Sequence, residues 1–182
     1  YLNALGERPA HEEFMSAAGS LGVGEWGDRM TPEHREVFER AKIVILSLRG
    51  HAEYFKNEIE AAIKGEFFEA AGKGGVYPSR PRCFSLIEHL QSPEVVALLG
   101  DLLEDDRDPW VVVPPGEISH GRPPPNSYLA AKTLNRMGIE GVPIIEIRSG
   151  DRDYESARDQ WKLWYAAVKA GNRTFRFKGD PR

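Results

Sequence analysis

Two stretches of the chain carry the pattern that decides the fold: residues 83–109, CFSLIEHLQSPEVVALLGDLLEDDRDP, and residues 126–146, NSYLAAKTLNRMGIEGVPIIE. Apolar positions of the first recur in the second at a constant offset of 47 residues. The pairs are Phe84 and Ala131, Ile87 and Leu134, Leu90 and Met137, Val95 and Val142, and Leu98 and Ile145. Repeats of about 40–47 residues are typical of stacked helix pairs, an architecture that usually forms binding surfaces.

Helix signals continue on the N-terminal side of these stretches. Thr31 followed by Pro32 predicts an N-cap and a first turn. The helix that they open carries one apolar stripe and ends at Gly50; the stripe consists of Phe38, Ala41, Ile45 and Leu48. A second helix is predicted from His51 to about Gly65. Because the connection is so short, we expect the two helices to form an antiparallel hairpin.

The repeat stretches have their own boundary signals. Ser92 followed by Pro93 predicts another N-cap. The acids Asp105 and Asp106 oppose the macrodipole of a helix C-terminus, so this helix is expected to end before them. Asn126 or Ser127 is predicted to cap the next helix. Gly138 is expected to end it.

The C-terminal part combines one long helix with possible strands. Residues 142–148 fit a short helix by the repeat and a strand by β-propensity, and we favour the helix. Asp153 is predicted to cap the last helix, which ends at Gly171 and buries Trp161 and Trp164. Residues 174–177 are predicted to form a short strand with its two phenylalanines facing inward.

The segment from Cys83 to Pro109 resembles a HEAT-like repeat unit, in which a helix leads through a turn to a second helix and an Asp-rich turn. The segment from Asn126 to Glu146 resembles the first helix and turn of the next unit. An arginine usually follows the Asp-rich turn in this family, whereas Trp110 follows here. The resemblance covers about a quarter of the chain. It implies a mostly α fold of antiparallel helical hairpins stacked as a short HEAT-like α-α superhelix, with no catalytic residues to carry over.

The predicted organisation is an N-terminal arm, residues 1–30, and a single HEAT-like helical domain, residues 31–182. Minor β strands and a proline-rich loop insertion over residues 110–125 interrupt the domain. Because only two units register, the first hairpin and the Trp161 helix are expected to cap the core.

Composition excludes several broad classes. The net charge of −4 lacks the basic footprint of a nucleic-acid-binding domain, and no apolar run is long enough for a transmembrane segment. The single cysteine, Cys83, allows no intrachain disulfide. The chain begins at Tyr1, which fits either a removed signal peptide or a shortened chain. We favour an exported, periplasmic bacterial protein.

No motif indicates a metal or a cofactor. Residues 22–27 spell a dinucleotide-binding string, but they lack the preceding strand and the helix that this site requires. The five histidines have no metal-ligand spacing, and the clusters of aspartates lack the glycine and distal glutamate of a calcium loop. We therefore expect no cofactor and read the aspartates as turn and capping residues.

The proline-rich insertion is the best candidate for a functional loop, because long ordered loops often have a role. Its candidate binding residues are Trp110, Glu117, His120 and Arg122. Ser119 beside these groups could indicate hydrolysis. A nucleophile, however, needs a base within reach and an oxyanion hole, and no GxSxG elbow is present.

The function predicted from the sequence is therefore a non-enzymatic interaction or scaffold module. It binds a protein partner through a helical face and the proline-rich loop. The alternative is a small hydrolase-like enzyme with a site around residues 114–127. A third possibility, weak nucleic-acid binding, rests on basic and aromatic residues that alternate over 173–178. We expect those aromatics to be core instead, and predict no nucleic-acid partner.

Overall fold

The structure, a computed structural model, describes residues 31–64, 80–107, 124–142 and 151–180. These residues form six helices: α1 Pro32–Ser47, α2 His51–Lys64, α3 Arg80–Ile87, α4 Pro93–Leu102, α5 Asn126–Arg136 and α6 Asp151–Lys169. The prediction of a mostly α fold is confirmed for this part of the chain. The N-terminal arm, residues 110–123 of the insertion and the ambiguous residues 143–148 lie outside the described ranges.

Local capping chemistry explains several helix ends. The Ser92 hydroxyl accepts a hydrogen bond from the Val95 amide at 3.2 Å, as predicted for the N-cap of α4. Gly138 and Gly171 have φ of 68° and 73°, left-handed conformations that favour glycine after a helix. At the end of α6 the Gly171 amide donates to Val168 and the Asn172 amide to Ala167, which forms a Schellman motif.

Two predicted caps are wrong. α5 begins at Asn126 itself, its N-cap is Pro125, and no side chain makes a capping bond there. The side chains of Asn126 and Ser127 are both buried and bind residues from other elements. α6 begins at Asp151, so Asp153 lies inside its first turn instead of at the N-cap.

Side-chain contacts fix the directions of α2 and α4. His51, the first residue of α2, places Nε2 2.8 Å from Oγ of Ser92, the N-cap of α4. Near the other end of α2, Glu60 binds Arg107, which lies beyond the end of α4. Since start meets start and end meets end, α2 and α4 lie side by side and run in the same direction.

α3 and α5 form a second parallel pair. Arg80 at the start of α3 donates to Asn126 at the start of α5, over 2.8 Å. Just past their ends, the Gln91 side chain donates to the Met137 carbonyl, also over 2.8 Å. The Ser127 amide donates to the Asp105 carbonyl, so the start of α5 meets the end of α4. The α3/α5 pair therefore runs opposite to the α2/α4 pair.

The core lies between these pairs and α6. Its largest fully buried side chains are Trp161, Phe55, Phe84, Ile45, Ile59, Leu86, Ile87, Leu90, Leu99, Leu103 and Leu134. Trp161 and Trp164 pack edge to face with centroids 5.2 Å apart, and Phe175 continues the aromatic cluster. The prediction that these tryptophans are core residues is confirmed.

The C-terminal tail packs against the turn after α5. Ile139 and Phe177 form a single antiparallel bridge, with Glu140 donating to the Arg176 carbonyl and Lys178 to the Gly138 carbonyl. Within the described ranges this bridge takes the place of the predicted short strand. Phe177 is buried and Phe175 half-buried, while Arg176 points outward to Glu140. The two phenylalanine rings therefore pack towards the core, as expected, and do not form an exposed surface on which nucleic-acid bases could stack.

Candidate functional site

The sequence-predicted binding residues Trp110, Glu117, His120 and Arg122 lie outside the described residues, and so does Ser119. The structure does place the two flanks of their segment. Residues 105–107 and 124–127 meet through the Ser127 amide, which donates to the Asp105 carbonyl over 3.0 Å. The Asn126 amide group also donates to the Asp105 carboxylate over 2.8 Å. The two flanks of the segment therefore lie against each other.

A groove of about 550 Å³ opens between α2 and α4 and reaches this same place. Its walls come from one face of each helix and from the turn after α4. The lining residues are Ala52, Glu53, Lys56, Glu60, Glu94, Ala97, Leu98, Asp101, Leu102, Glu104, Asp105, Asp106 and Arg107. We call it the α2/α4 groove.

Helical spacing explains the shape of the groove. On α2, Ala52, Lys56 and Glu60 recur every four residues, so they share one face. On α4, Ala97 and Asp101 have the same spacing. Small alanines on the two facing helices leave space where larger side chains would close the gap. Leu98 and Leu102, each 8% exposed, form an apolar floor.

Carboxylates outnumber cations around the groove. Seven of its lining residues are carboxylates and two, Lys56 and Arg107, are cations. On one side α6 supplies counter-charges: Lys162 binds Glu104 at 2.6 Å and Lys169 binds Asp101 at 2.9 Å. Arg158 of α6 likewise binds Asp106 at 3.1 Å, so five cations face the seven carboxylates and an excess of two negative charges remains. A concave surface with an excess of one sign of charge concentrates ligands of the opposite charge.

The end of the groove near residue 105 is closed by an internal ion cluster. The Arg107 guanidinium donates to both carboxylate oxygens of Glu60, at 2.6 and 3.2 Å, and to both of Asp105, at 2.8 Å each. Hydrogen bonds from Arg107 lower the pKa of Asp105 to about 2 and also lower the pKa of Glu60. The same two carboxylates raise the pKa of Arg107. These three groups are therefore charged throughout the physiological range.

The opposite end of the groove is less neutralised. Glu53 lies 3.5 Å from Lys56, and both side chains are more than half exposed. Glu94 lies 3.4 Å from Nδ1 of His51, a nitrogen that also contacts the Leu48 carbonyl at 2.9 Å. Neither carboxylate makes a bidentate ion pair like those between Arg107 and its two partners. We call Glu53 and Glu94 the open acidic end.

A buried polar network supports the closed end from behind. Arg80 is 6% exposed, and burial lowers the pKa of its guanidinium. It donates to Asn126 and to the Pro124 carbonyl. The Ser127 hydroxyl contacts Asp106 and Tyr154, and burial raises the pKa of the Tyr154 phenol. The network joins the flanks of the proline-rich segment to α3 and α6.

This network bears on the hydrolase alternative. Ser127 is the one hydroxyl side chain of residues 114–127 that the structure describes, and its described partners include no histidine. In the described part of the chain, no group of three or more His, Cys, Asp or Glu side chains could hold a metal ion. None of the described helices is long and apolar enough to cross a membrane. Elsewhere in the described part, Nε2 of His51 lies 2.8 Å from the Ser92 hydroxyl, and a Glu94 oxygen lies 3.4 Å from Nδ1 of the same ring. Both His51 and Ser92 are buried, and the Ser92 hydroxyl also caps α4.

Comparison of the chain with known protein families, with curated proteins and with solved structures finds no match. Function must therefore be inferred from the groove and from the way in which the helices stack.

Proposed function

We propose that the chain is a non-enzymatic interaction module that binds a protein partner in the α2/α4 groove. In this proposal α2–α5 stack as a short HEAT-like α-α superhelix, and α1 and α6 cover its ends; α2, which the sequence assigned to a capping hairpin, thus belongs to the stack. The groove lies on the surface of the α2/α4 pair, where neighbouring units of such a stack form an extended binding face.

The directions of the helices support the stacking. α2 and α4 run one way, and α3 and α5 run the other, as in two rows of successive helical hairpins. Several side-chain hydrogen bonds join positions about one repeat apart. They connect Glu60 with Arg107, 47 residues on, and Arg80 with Asn126, 46 residues on. Side-by-side units bring such equivalent positions together.

Burial of the repeat positions is also in keeping with the proposal. Phe84, Ile87 and Leu90 are at most 2% exposed, and their counterparts Ala131, Leu134 and Met137 at most 1%. Each unit thus contributes matching positions to one continuous core, as expected when a repeat cannot bury its apolar face alone.

The observation that carries the binding role is the groove itself: an apolar floor under a carboxylate rim, open between two helices. Its volume of about 550 Å³ lies in the range of ligand pockets, and because nine of its thirteen lining residues are charged it suits a charged ligand. The lining residues Asp105–Arg107 directly precede the proline-rich segment, so a partner in the groove lies next to the start of that segment. Trp110, Glu117, His120 and Arg122 remain predicted contributors to the same contact.

A groove-filling substitution tests this proposal. Ala97 is exposed on the groove wall, so Ala97→Trp should fill the groove and still fold. The matched control is Ala166→Trp, at an exposed alanine of α6 outside the groove. A displayed library of random peptides would be selected on the wild-type protein, and affinities of enriched peptides measured on all three.

We expect enriched peptides to lose at least about tenfold in affinity on Ala97→Trp, because a buried hot spot is displaced. Their affinity for Ala166→Trp should be unchanged. If no enriched peptide distinguishes Ala97→Trp from the wild type, the α2/α4 groove is not the binding site and the proposal is wrong.

A further inference from the structure

We infer that the occupant of the α2/α4 groove is a basic segment of a partner protein, in which arginine or lysine side chains are interleaved with small apolar ones. This inference rests on the proposed function and specifies the chemistry of the partner. It follows from the charge, the dimensions and the uneven neutralisation of the groove.

Charge complementarity sets the sign of the partner. Arg158, Lys162 and Lys169 of α6 bind lining carboxylates in addition to the groove's own two cations, so seven carboxylates face five cations and two negative charges are in excess. The groove therefore favours cations over acidic peptides and phosphates. The Leu98 and Leu102 floor adds a place for a small apolar side chain between the charges. A purely polar cation would leave the leucine floor exposed to water. A segment in which cationic and small apolar side chains alternate covers both the floor and the carboxylates.

The dimensions suit a short segment. Ala52 and Glu60 mark the two ends of the α2 wall, and eight residues of helix rise by about 12 Å. An extended chain advances about 3.3 Å per residue, so about four residues span the groove. Alternate side chains of such a segment point to opposite sides, which places cations towards the rim and apolar groups towards the floor.

Arg107 shows how the groove binds a guanidinium. It occupies the closed end through paired hydrogen bonds to Glu60 and Asp105, the geometry for which arginine and carboxylate are matched. That end is therefore filled by the chain's own cation. The open acidic end, Glu53 and Glu94, lies along the same groove and is where a partner's cation binds.

Lys56 is the groove residue that opposes this binding. It stands on the α2 face between the two ends, is half exposed, and competes for Glu53. Removing its charge leaves Glu53 to the partner and makes the groove more acidic. Glu53 and Glu94 lie in the first turns of α2 and α4, where acids stabilise a helix. If that were their only role, removing the charge of Lys56 would not increase the affinity for a basic peptide.

The test uses the full chain and short labelled peptides whose alternate positions are arginine and leucine. Reference peptides carry glutamine or glutamate in place of arginine. Affinities are measured by fluorescence anisotropy at low salt and at about 0.15 M salt. The variants are Glu53→Gln with Glu94→Gln, Lys56→Gln, and the matched control Glu36→Gln with Glu155→Gln, at exposed glutamates of α1 and α6. Thermal unfolding verifies that each variant is folded.

We expect only the arginine peptide to bind, with an affinity that falls as salt rises. The Glu53/Glu94 double variant should weaken binding about three- to tenfold, and Lys56→Gln should strengthen it about two- to fivefold. The control pair should leave it within about twofold, because screened charges outside the groove contribute little.

The outcomes separate this inference from the proposed function. Library peptides that lose affinity on Ala97→Trp could prove to be neutral or acidic, or could bind the Glu53/Glu94 double variant as tightly as the wild type. Either result would contradict the inference of a basic partner and would leave the proposed binding groove in place. If the chain self-associates and Ala97→Trp abolishes this, the occupant of the groove is a second copy of the chain. That result would also contradict the inference of a basic partner segment. If no peptide is sensitive to Ala97→Trp, the proposed function itself fails.

Discussion

The ring of Tyr165 lies face-on against Gly100, so that a Cβ added to Gly100 would stand 2.5 Å from three of its carbons. The Tyr165 hydroxyl also donates to the Ala97 carbonyl at 3.1 Å and to Asp101 at 3.2 Å. This contact packs α6 directly against α4, beside the groove.

We predict that Gly100→Ala destabilises the protein. In an exposed helix interior, alanine is favoured over glycine by about 1 kcal/mol. Here overpacking against a ring typically costs about 1–3 kcal/mol and should outweigh that gain. Chemical denaturation should show a net loss in the free energy of unfolding. In a Tyr165→Ala background the same substitution should be neutral or stabilising, and a loss of equal size there would show that the ring is not the cause.

The closed end of the groove should make stability depend on acid. The folded pKa of Asp105, about 2, lies below its ordinary value of 3.8. Its contribution is therefore complete above about pH 4 and is lost as pH falls towards 2. With 11% of the side chain exposed, this contribution is at most about 2 kcal/mol. Denaturant unfolding between about pH 4 and pH 2 should show a shallower pH dependence for Asp105→Asn than for the wild type; equal slopes would contradict this account.

His89 should give a second pH dependence, at the contact between α1 and the turn before α4. Its ring meets Phe38 edge to face at 5.3 Å, and burial lowers the pKa of the imidazole below 6.5. A lowered pKa means that the folded state prefers the neutral ring, so stability falls as pH drops below about 6.5. Unfolding measured between about pH 8 and pH 5.5 should show this decrease in the wild type. His89→Gln should remove it, and an unchanged pH profile in that variant would assign the effect to other groups.

The buried network behind the groove should be sensitive to Asn126. Its side chain accepts from buried Arg80 and donates to Asp105, and it is fully buried itself. Asn126→Ala leaves the guanidinium with fewer acceptors and should cost about 2–4 kcal/mol in the free energy of unfolding. Asn172→Ala, at an exposed asparagine after α6, is the control and should change it by less than about 0.5 kcal/mol. Similar losses in both variants would contradict a structural role for the network.

Local signals predicted the helices well. Ser92, Gly138 and Gly171 act on neighbouring backbone groups, so the residues around them suffice to predict where helices begin or end. Asn126 and Ser127 show where such reasoning fails. Both are good capping residues, but their partners Arg80, Asp105 and Asp106 lie 21 to 46 residues away and engage their side chains instead. The local sequence does not indicate that these distant partners compete with capping for the two side chains.

The groove could not be predicted for a related reason. Ala52 and Ala97 leave a space only because α2 and α4 lie side by side, and the sequence assigns the nearby aspartates to turns and caps and gives the glutamates no role. The repeat offset of 47 residues does contain a clue, since it relates Glu60 to Arg107. Applied to charged positions as well as apolar ones, it would have indicated that these side chains meet.

The most direct test of the central claim is an amide NMR titration of the full chain with the arginine–leucine peptide. We expect shift changes to concentrate on the groove walls, at Glu53, Lys56, Glu94, Ala97 and Leu98, and Ala97→Trp to abolish them. Saturable changes elsewhere on the surface that persist in Ala97→Trp would contradict binding in the α2/α4 groove.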